Sequence, residues 1–412
     1  MSEESGWRAG FKSDYKEIFV EPWSPYLGAI LLVVVIAGLM INGLFWGVFG
    51  GVRYWGDQFN YLIGLAPALG IAPPDEGYLT HRMSLMNIMV LLGAFVAALM
   101  SRQFQPIRPP RLELIWAALG GTMLGIGSSL AGGCTVGGFF NPVLHSSPAG
   151  WVMLLGLLIG AVIGLKLLLW TLENIVWGVA APPRINIPDK VIRSFPYFGL
   201  AVMVGVLVWA TRWYASTDTV EVTRAVIVLL GFLIGFILHR SRLCFARAFR
   251  EPFMTAEGDM TKAVILALAI GIPLAAFLFE KKVVDPYNAI PPTFWIGSLA
   301  GGLIFGIGMI FAGGCGTGSL WRMGEGHLKL WVTMFFYAWI SSIVSALFKK
   351  LGWTSVDPDN METFEITKVG YQAFWPEIIP GWGWTLLISG TLLLLWYSFV
   401  RYNESSEKFT VL

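Results

Sequence analysis

Charge is scarce in this chain: Asp, Glu, Lys and Arg together make up 13% of its 412 residues. A soluble domain carries roughly 25%, so a water-soluble fold is excluded, and with it the basic faces that bind nucleic acid. Cysteine is scarcer still, with three copies, Cys134, Cys244 and Cys315. Three thiols so widely spaced exclude a disulfide-stapled scaffold and a zinc motif, which needs close pairs and usually histidine. The four histidines, His81, His145, His239 and His327, fall near span ends or loops in no ligand pattern. No metal or other cofactor is therefore expected, and no nucleotide loop or soluble catalytic domain is visible.

Apolar residues are what the chain has instead. They make up 56% of it, and the mean hydropathy is +0.66. The fold class that follows is an all-α polytopic membrane protein surrounded by membrane lipid. Apolar windows of roughly 17 to 25 residues, enough to cross about 30 Å of hydrocarbon, recur about ten times. They are centred on 25–49, 83–100, 112–131, 151–172, 196–213, 224–243, 263–279, 294–312, 330–348 and 382–400. With the N-terminus inside, the inner segments hold about 18 Lys and Arg and the outer ones about 9, as the positive-inside rule requires. Both termini are then cytoplasmic, and the acidic stretch 355–365 lies outside. No cleavable signal is expected, because the first apolar run begins only at Tyr26 and extends too far. Before it, Trp7, Phe11, Tyr15, Ile18 and Phe19 recur at helical spacing among Arg8, Lys12 and Lys16, which suits a short helix on the inner surface.

The chain repeats itself. Shifted by 181 residues, "GGTMLGIGSSLAGGCTVG" (120–137) aligns with "GGLIFGIGMIFAGGCGTG" (301–318) at about ten of eighteen positions. A weaker match pairs "VRYWGDQF" (52–59) with "ARAFREPF" (246–253) and puts Gly50 opposite Cys244. The strong copies lie in the third and eighth spans, so they run in opposite directions and predict an inverted-topology repeat. The expected organisation is an interfacial arm (1–24), two halves (25–180 and 196–350), an outer loop (351–381) and a last helix with cytoplasmic tail (382–412).

Each strong copy contains Gly-Gly-Cys followed by further glycines. Gly132 and Gly133, with Gly313, Gly314 and Gly316, can adopt the angles that end a helix and leave amides facing a cavity. Broken or re-entrant helices at membrane depth are tolerated only where they line a polar cavity or are buried in protein. Glycines at four-residue spacing elsewhere, such as Gly156, Gly160 and Gly164, fit close helix packing. Each cysteine alone reads equally as a small buried hydrophobe. Thr135, Thr317 and Asn141 are candidate donors beside the breaks, although local backbone bonds also explain them. Lys166 is the one cation inside a span, placed to snorkel to the inner interface or to serve function. The arginines of "LHRSRLCFARAFREPF" (238–253) read as positive-inside anchors or as attractors of an anion at the inner mouth.

These residues together resemble the YeeE/YedE family of sulfur-transport membrane proteins. Its carriers here are the two GGC breaks, "RLCFARAFREPF" (242–253), "GGCGTGSLWRMGEGH" (313–327) and the hairpin "WGVFGGVRYWGDQFN" (46–60) of the long YedE-like branch. The resemblance implies import of thiosulfate or a closely related inorganic sulfur anion through a narrow path past Cys134, Cys315 and Cys244. It also implies a TusA-like sulfur carrier as a possible soluble partner. "TVGGFFNP" (135–142) is more apolar than thiosulfate-type members show after the first cysteine, which keeps a selenium compound open as the substrate. Neutral thiols are weak donors suited to a soft terminal sulfur, and weak successive sites let an ion leave as well as enter. Two rivals remain: a membrane sulfurtransferase working through Cys244, and a membrane anchor for a sulfur carrier bound by Arg247 and Arg250.

Overall fold

A computed structural model describes residue 10 and residues 13–174, 185–355, 366–379 and 381–411. Trp7, Arg8, Phe11, Lys12, residues 356–365 of the acidic stretch and residues 175–184 lie outside the described residues. Among the described residues, nine helices are long and apolar enough to cross a membrane. The tenth expected span is a helix of 17 residues, α1 (Pro25–Ile41), which is bent by 76° against the arm helix Ser13–Val20. At 1.5 Å per residue α1 is about 25 Å long, just short of a full crossing.

Helix α1 stops eight residues before the expected end of the first span, and a second, short helix follows it, α2 (Val48–Leu62). Next come α3 (Arg82–Met100), α4 (Arg111–Ala131), the π-helical turn α5 (Thr135–Phe140) and α6 (Pro148–Asn174). The second part of the chain contains α7 (Asp189–Tyr214), α8 (Thr219–Ser241), the short α9 (Phe245–Met254) and α10 (Asp259–Glu280). It continues with α11 (Ile296–Ala312), the short α12 (Gly316–Glu325) and α13 (Leu328–Lys350), and α14 (Trp382–Ser406) closes the chain. Strand structure among the described residues is one hairpin, Ile366–Thr367 with Gly370–Tyr371.

Lipid supplies no hydrophobic drive between helices, so backbone proximity through small residues has to hold them together. Helices α4 and α11 cross antiparallel at such residues. Gly120 abuts Ala312, and a methyl on Gly127 would lie 2.6 Å from the Phe305 amide. A methyl on Gly301 would lie 2.6 Å from the Ala131 amide. Adding 181 to Gly120 and subtracting it from Ala312 converts the first of these pairs into the last, so the contact is reciprocal. The flanking pairs follow suit: Gly156 and Gly160 of α6 press on α11, while Gly121 and Gly125 of α4 press on α13.

The described parts of the N-terminal arm and the C-terminal tail both pack on the bundle. Trp23 donates its amide to the Arg240 carbonyl at 2.8 Å, and Tyr15 reaches the Met100 carbonyl at 2.7 Å. From the other terminus, Val411 donates to the Phe253 carbonyl at 2.7 Å, and Glu404 pairs with Lys262 at 2.7 Å. Lys166 is exposed on α6, whereas the three cysteines are buried.

Candidate functional site

Four short helices begin inside the bundle, and their N-cap residues are Gly47, Cys134, Cys244 and Cys315. Three of those four positions therefore hold the only cysteines in the chain. The aligned register puts Gly50 opposite Cys244, yet α2 begins at Val48, so Gly47 occupies the capping position. The expected breaks are present. Helix α4 ends at Gly132 and α11 at Gly313, with φ of 68° and 78°, a left-handed conformation in which a side chain is strained.

Past each left-handed glycine the chain turns tightly into the next helix. A methyl on Gly133 would lie 2.5 Å from the Gly138 nitrogen, and one on Gly314 3.0 Å from Ser319 Oγ. The new helices start with Gly138 donating to the Cys134 carbonyl at 2.7 Å and Ser319 to the Cys315 carbonyl at 2.8 Å. Gly318 also donates to Cys315 Sγ at 3.3 Å. The first amides of a helix have no partner within it, so each short helix turns a positive end toward the junction.

All three thiols are free and buried. A methyl on Gly318 would lie 2.8 Å from Cys244 Sγ and 3.4 Å from Cys315 Sγ, so both sulfurs border one bare Cα. Gly316 stands between the next pair: its methyl would lie 3.4 Å from Cys134 Cβ and 3.2 Å from Tyr337 Cε1. The three cysteines that sequence spacing holds apart are thus brought into one row. The hydroxyls of Thr317 and Ser319 are buried beside them without a hydrogen-bond partner, and that of Thr135 is buried next to the Cys315 thiol. Asn141 has a structural task, since its amide donates to the Trp46 carbonyl at 2.5 Å and pins the break that follows α1. Tyr337, paired with the Ser128 hydroxyl at 2.8 Å, is a neighbour that sequence reading missed, because an aromatic in an apolar span carries no signal.

Cys244 lines a cavity of about 310 Å³ together with Arg242, Arg247, Arg250 and Arg322. At about 30 Å³ per water, that is room for a small anion with part of its hydration shell. Four guanidinium groups face it against one lining carboxylate, Glu325. Arg247 is held by Glu251 at 2.5 Å, and Arg322 donates to the Gly313 carbonyl at 3.0 Å, satisfying the end of α11. A second cavity of about 350 Å³ shares Arg250, Gly313, Arg322 and His327 and adds Lys329, itself 3.6 Å from Glu113. The other break is covered instead: the Thr293 hydroxyl caps the Ala131 carbonyl at 3.1 Å, and Pro291 packs on Gly132.

The repeat makes the two sides comparable, and they differ. Gly137 is the counterpart of Gly318, yet a methyl there would meet nothing within 4 Å. Gly47 is close by, its own methyl 3.8 Å from the Gly137 Cα. The space filled by the Cys244 thiol in one half is open in the other.

A family model described as sulphur transport matches residues 3–163 and 240–410. A protein of Escherichia coli strain K12 named probable transporter YedE is 30% identical over 331 residues, covering 76% of this chain and 80% of that one. Its namesake in Salmonella typhimurium is 29% identical over the same shares. The thiosulfate transporter TsuA of Spirochaeta thermophila is 36% identical over 110 residues, 27% of this chain and 33% of that one.

Proposed function

The chain belongs to the sulphur transport family, whose relatives named above are transporters and not enzymes, and from that premise we propose that it imports thiosulfate or a closely related inorganic sulfur anion along a thiol-lined path. The observation that carries the reading is the meeting of Cys244, on the wall of an arginine-lined cavity, with Cys315 at Gly318, and Cys134 behind Gly316. A divalent anion in hydrocarbon is prohibitively costly unless donors replace its water. Helix N-termini at Cys134, Cys244 and Cys315 supply a positive field without a permanent ion pair that would trap the ion. Soft sulfur groups and the buried hydroxyls of Thr135 and Thr317 then offer weak successive contacts.

The arrangement fits an inverted repeat, residues 25–180 against 196–350. The reciprocal packing of α4 on α11 supports it, as does a family match in two segments of similar length. The membrane is the cell inner membrane, with both docked termini and the arginine cavity on the cytoplasmic side, the orientation that the excess of Lys and Arg favours. The anion then leaves through the arginine cavity, where a TusA-like carrier would meet a basic rim.

The test is uptake of labelled thiosulfate into cells lacking other sulfate and thiosulfate importers. The native chain is compared with Cys134→Ser, Cys244→Ser and Cys315→Ser at matched membrane expression. Native uptake that each serine variant abolishes is the expected result. A native chain that moves no thiosulfate refutes the substrate, and selenium compounds are then measured in the same cells.

A further inference from the structure

Three groups that the thiol row does not use meet beside the arginine cavity, Glu325 and His327 on its lining and His239 behind them. His239 on α8 is fully buried, and neither of its ring nitrogens has a hydrogen-bond partner. Its Nε2 lies 3.6 Å from one carboxylate oxygen of Glu325, whose other oxygen lies 3.4 Å from His327 Nε2. Arg242 donates to that first oxygen and, from its other amine, to Gln103 Oε1 at 2.5 Å. One buried carboxylate is therefore shared between a permanent cation and two imidazoles, whose ring nitrogens can carry a proton or give it up.

The charges around the cluster leave few alternatives. On α8, Arg240 is occupied elsewhere, donating to the Glu21 carbonyl and lying 6.0 Å from the Trp23 ring. On α12, Arg322 serves the Gly313 carbonyl. On α9, Arg247 is matched by Glu251, and Arg250 faces the same cavity. Arg102 and Asp189 lie across the adjoining cavity, and Lys329 is matched by Glu113. Arg242 is itself positioned over Trp321, 5.7 Å from the ring, at the cavity wall. It is thus the arginine that Glu325 and an arriving anion would both use.

We infer that an anion entering the cavity takes Arg242 from Glu325, and that the released carboxylate is neutralised by a proton bound to the His239–His327 pair, so that anion binding is linked to proton uptake. Arginine stays charged throughout and can only change partner. A dianion competes for it better than a single carboxylate does, and the imidazoles are the groups within reach of Glu325 that can gain positive charge. Linkage is reciprocal: whatever factor the anion adds to proton affinity, the proton adds to anion affinity. Glu325, His239 and His327 are positioning residues in this scheme, acting through Arg242. The inference rests on the proposed sulfur-anion function and supplies the ion to which it would be coupled.

The experiment is calorimetric titration of thiosulfate into the purified native protein, in buffers of different ionisation heat, between about pH 6 and pH 8. On the order of one proton is taken up per anion bound, and affinity falls by up to about tenfold per pH unit above the histidine range. With His239→Gln and His327→Gln together, proton uptake vanishes and affinity becomes independent of pH. His327→Gln alone, on the partly exposed rim, lowers the proton number and decides the matter where the double variant does not fold. Thiosulfate binding without proton uptake, or a double variant with the native pH profile, overturns the inference and leaves the proposed function standing. No thiosulfate binding at any pH overturns both.

Discussion

Gly318→Ala and Gly137→Ala place the same methyl at the two positions that the repeat makes equivalent, and the structure predicts opposite consequences. At Gly318 the new carbon would stand 2.8 Å from Cys244 Sγ and 3.4 Å from Cys315 Sγ. Non-bonded heavy atoms rest at about 3.5–4.0 Å, so the Cys244 sulfur has to retreat by on the order of 1 Å. Overpacking of this kind costs about 1–3 kcal/mol, against which alanine returns about 1 kcal/mol of helix propensity within α12. The fold therefore survives with a net loss of about 0–2 kcal/mol. Where the thiols form the narrowest point, the displaced sulfur narrows it further, and each 1.4 kcal/mol added to the crossing barrier slows uptake about tenfold. We expect thiosulfate uptake to fall by about tenfold or more in Gly318→Ala. Gly137 has open space around it, so its alanine variant folds normally and keeps uptake within about threefold of native. The assay is initial-rate uptake of labelled thiosulfate, normalised to membrane-inserted protein. Equal losses in the two variants, or native uptake in Gly318→Ala, would refute the claim that the Cys244–Cys315 pair sets the constriction.

His145, in the turn between α5 and α6, donates from Nδ1 to the Pro286 carbonyl at 2.8 Å, and burial pushes its pKa down to about 4. Its unfolded value is about 6.5, so the unfolded chain takes the proton first as pH falls. Stability is complete above about pH 6.5, declines by about 3 kcal/mol toward pH 4 and then levels off. Thermal unfolding in detergent across that range, with His145→Gln losing the slope, checks it. A second substitution tests the packing of α8 on α3. A methyl on Gly235 would overlap the Val90 carbonyl, and backbone cannot give way as a side-chain end can. Gly235→Ala is expected to lower stability by about 2 kcal/mol despite the better helix propensity. An unchanged or higher midpoint in the same melt would count against it.

Much of the fold is legible along the chain because a bilayer asks only for length and apolarity. The expected span 112–131 is the helix Arg111–Ala131, and 294–312 is Ile296–Ala312. Both Gly-Gly-Cys breaks are legible too, since a left-handed residue favours glycine and the motif occurs twice. The short helices at Val48 and Phe245 are not. Each follows a long helix after only a few residues that include apolar ones, Leu44, Phe45 and Trp46 before the first and Leu243 before the second, and an apolar window cannot distinguish one crossing from a helix that stops and restarts. The histidines are the clearest case. His327 stands two residues from Glu325, but His239 lies 86 residues before it, and no spacing ties that histidine to the carboxylate.

Composition and repetition alone determined that this is a multi-pass helical membrane protein, that its chain breaks twice at glycines, and that a cysteine follows each break. Those properties are set locally, by hydropathy and by the angles each residue can adopt. Only the tertiary structure decided that Cys244 joins Cys315 at Gly318, that Asn141 serves the Trp46 carbonyl, and that one carboxylate is shared by Arg242 and two histidines. Apart from the Glu325–His327 pair, those contacts link residues far apart in sequence, and their partners are fixed by how bare glycine faces let α4, α11 and their neighbours approach, which no local pattern records.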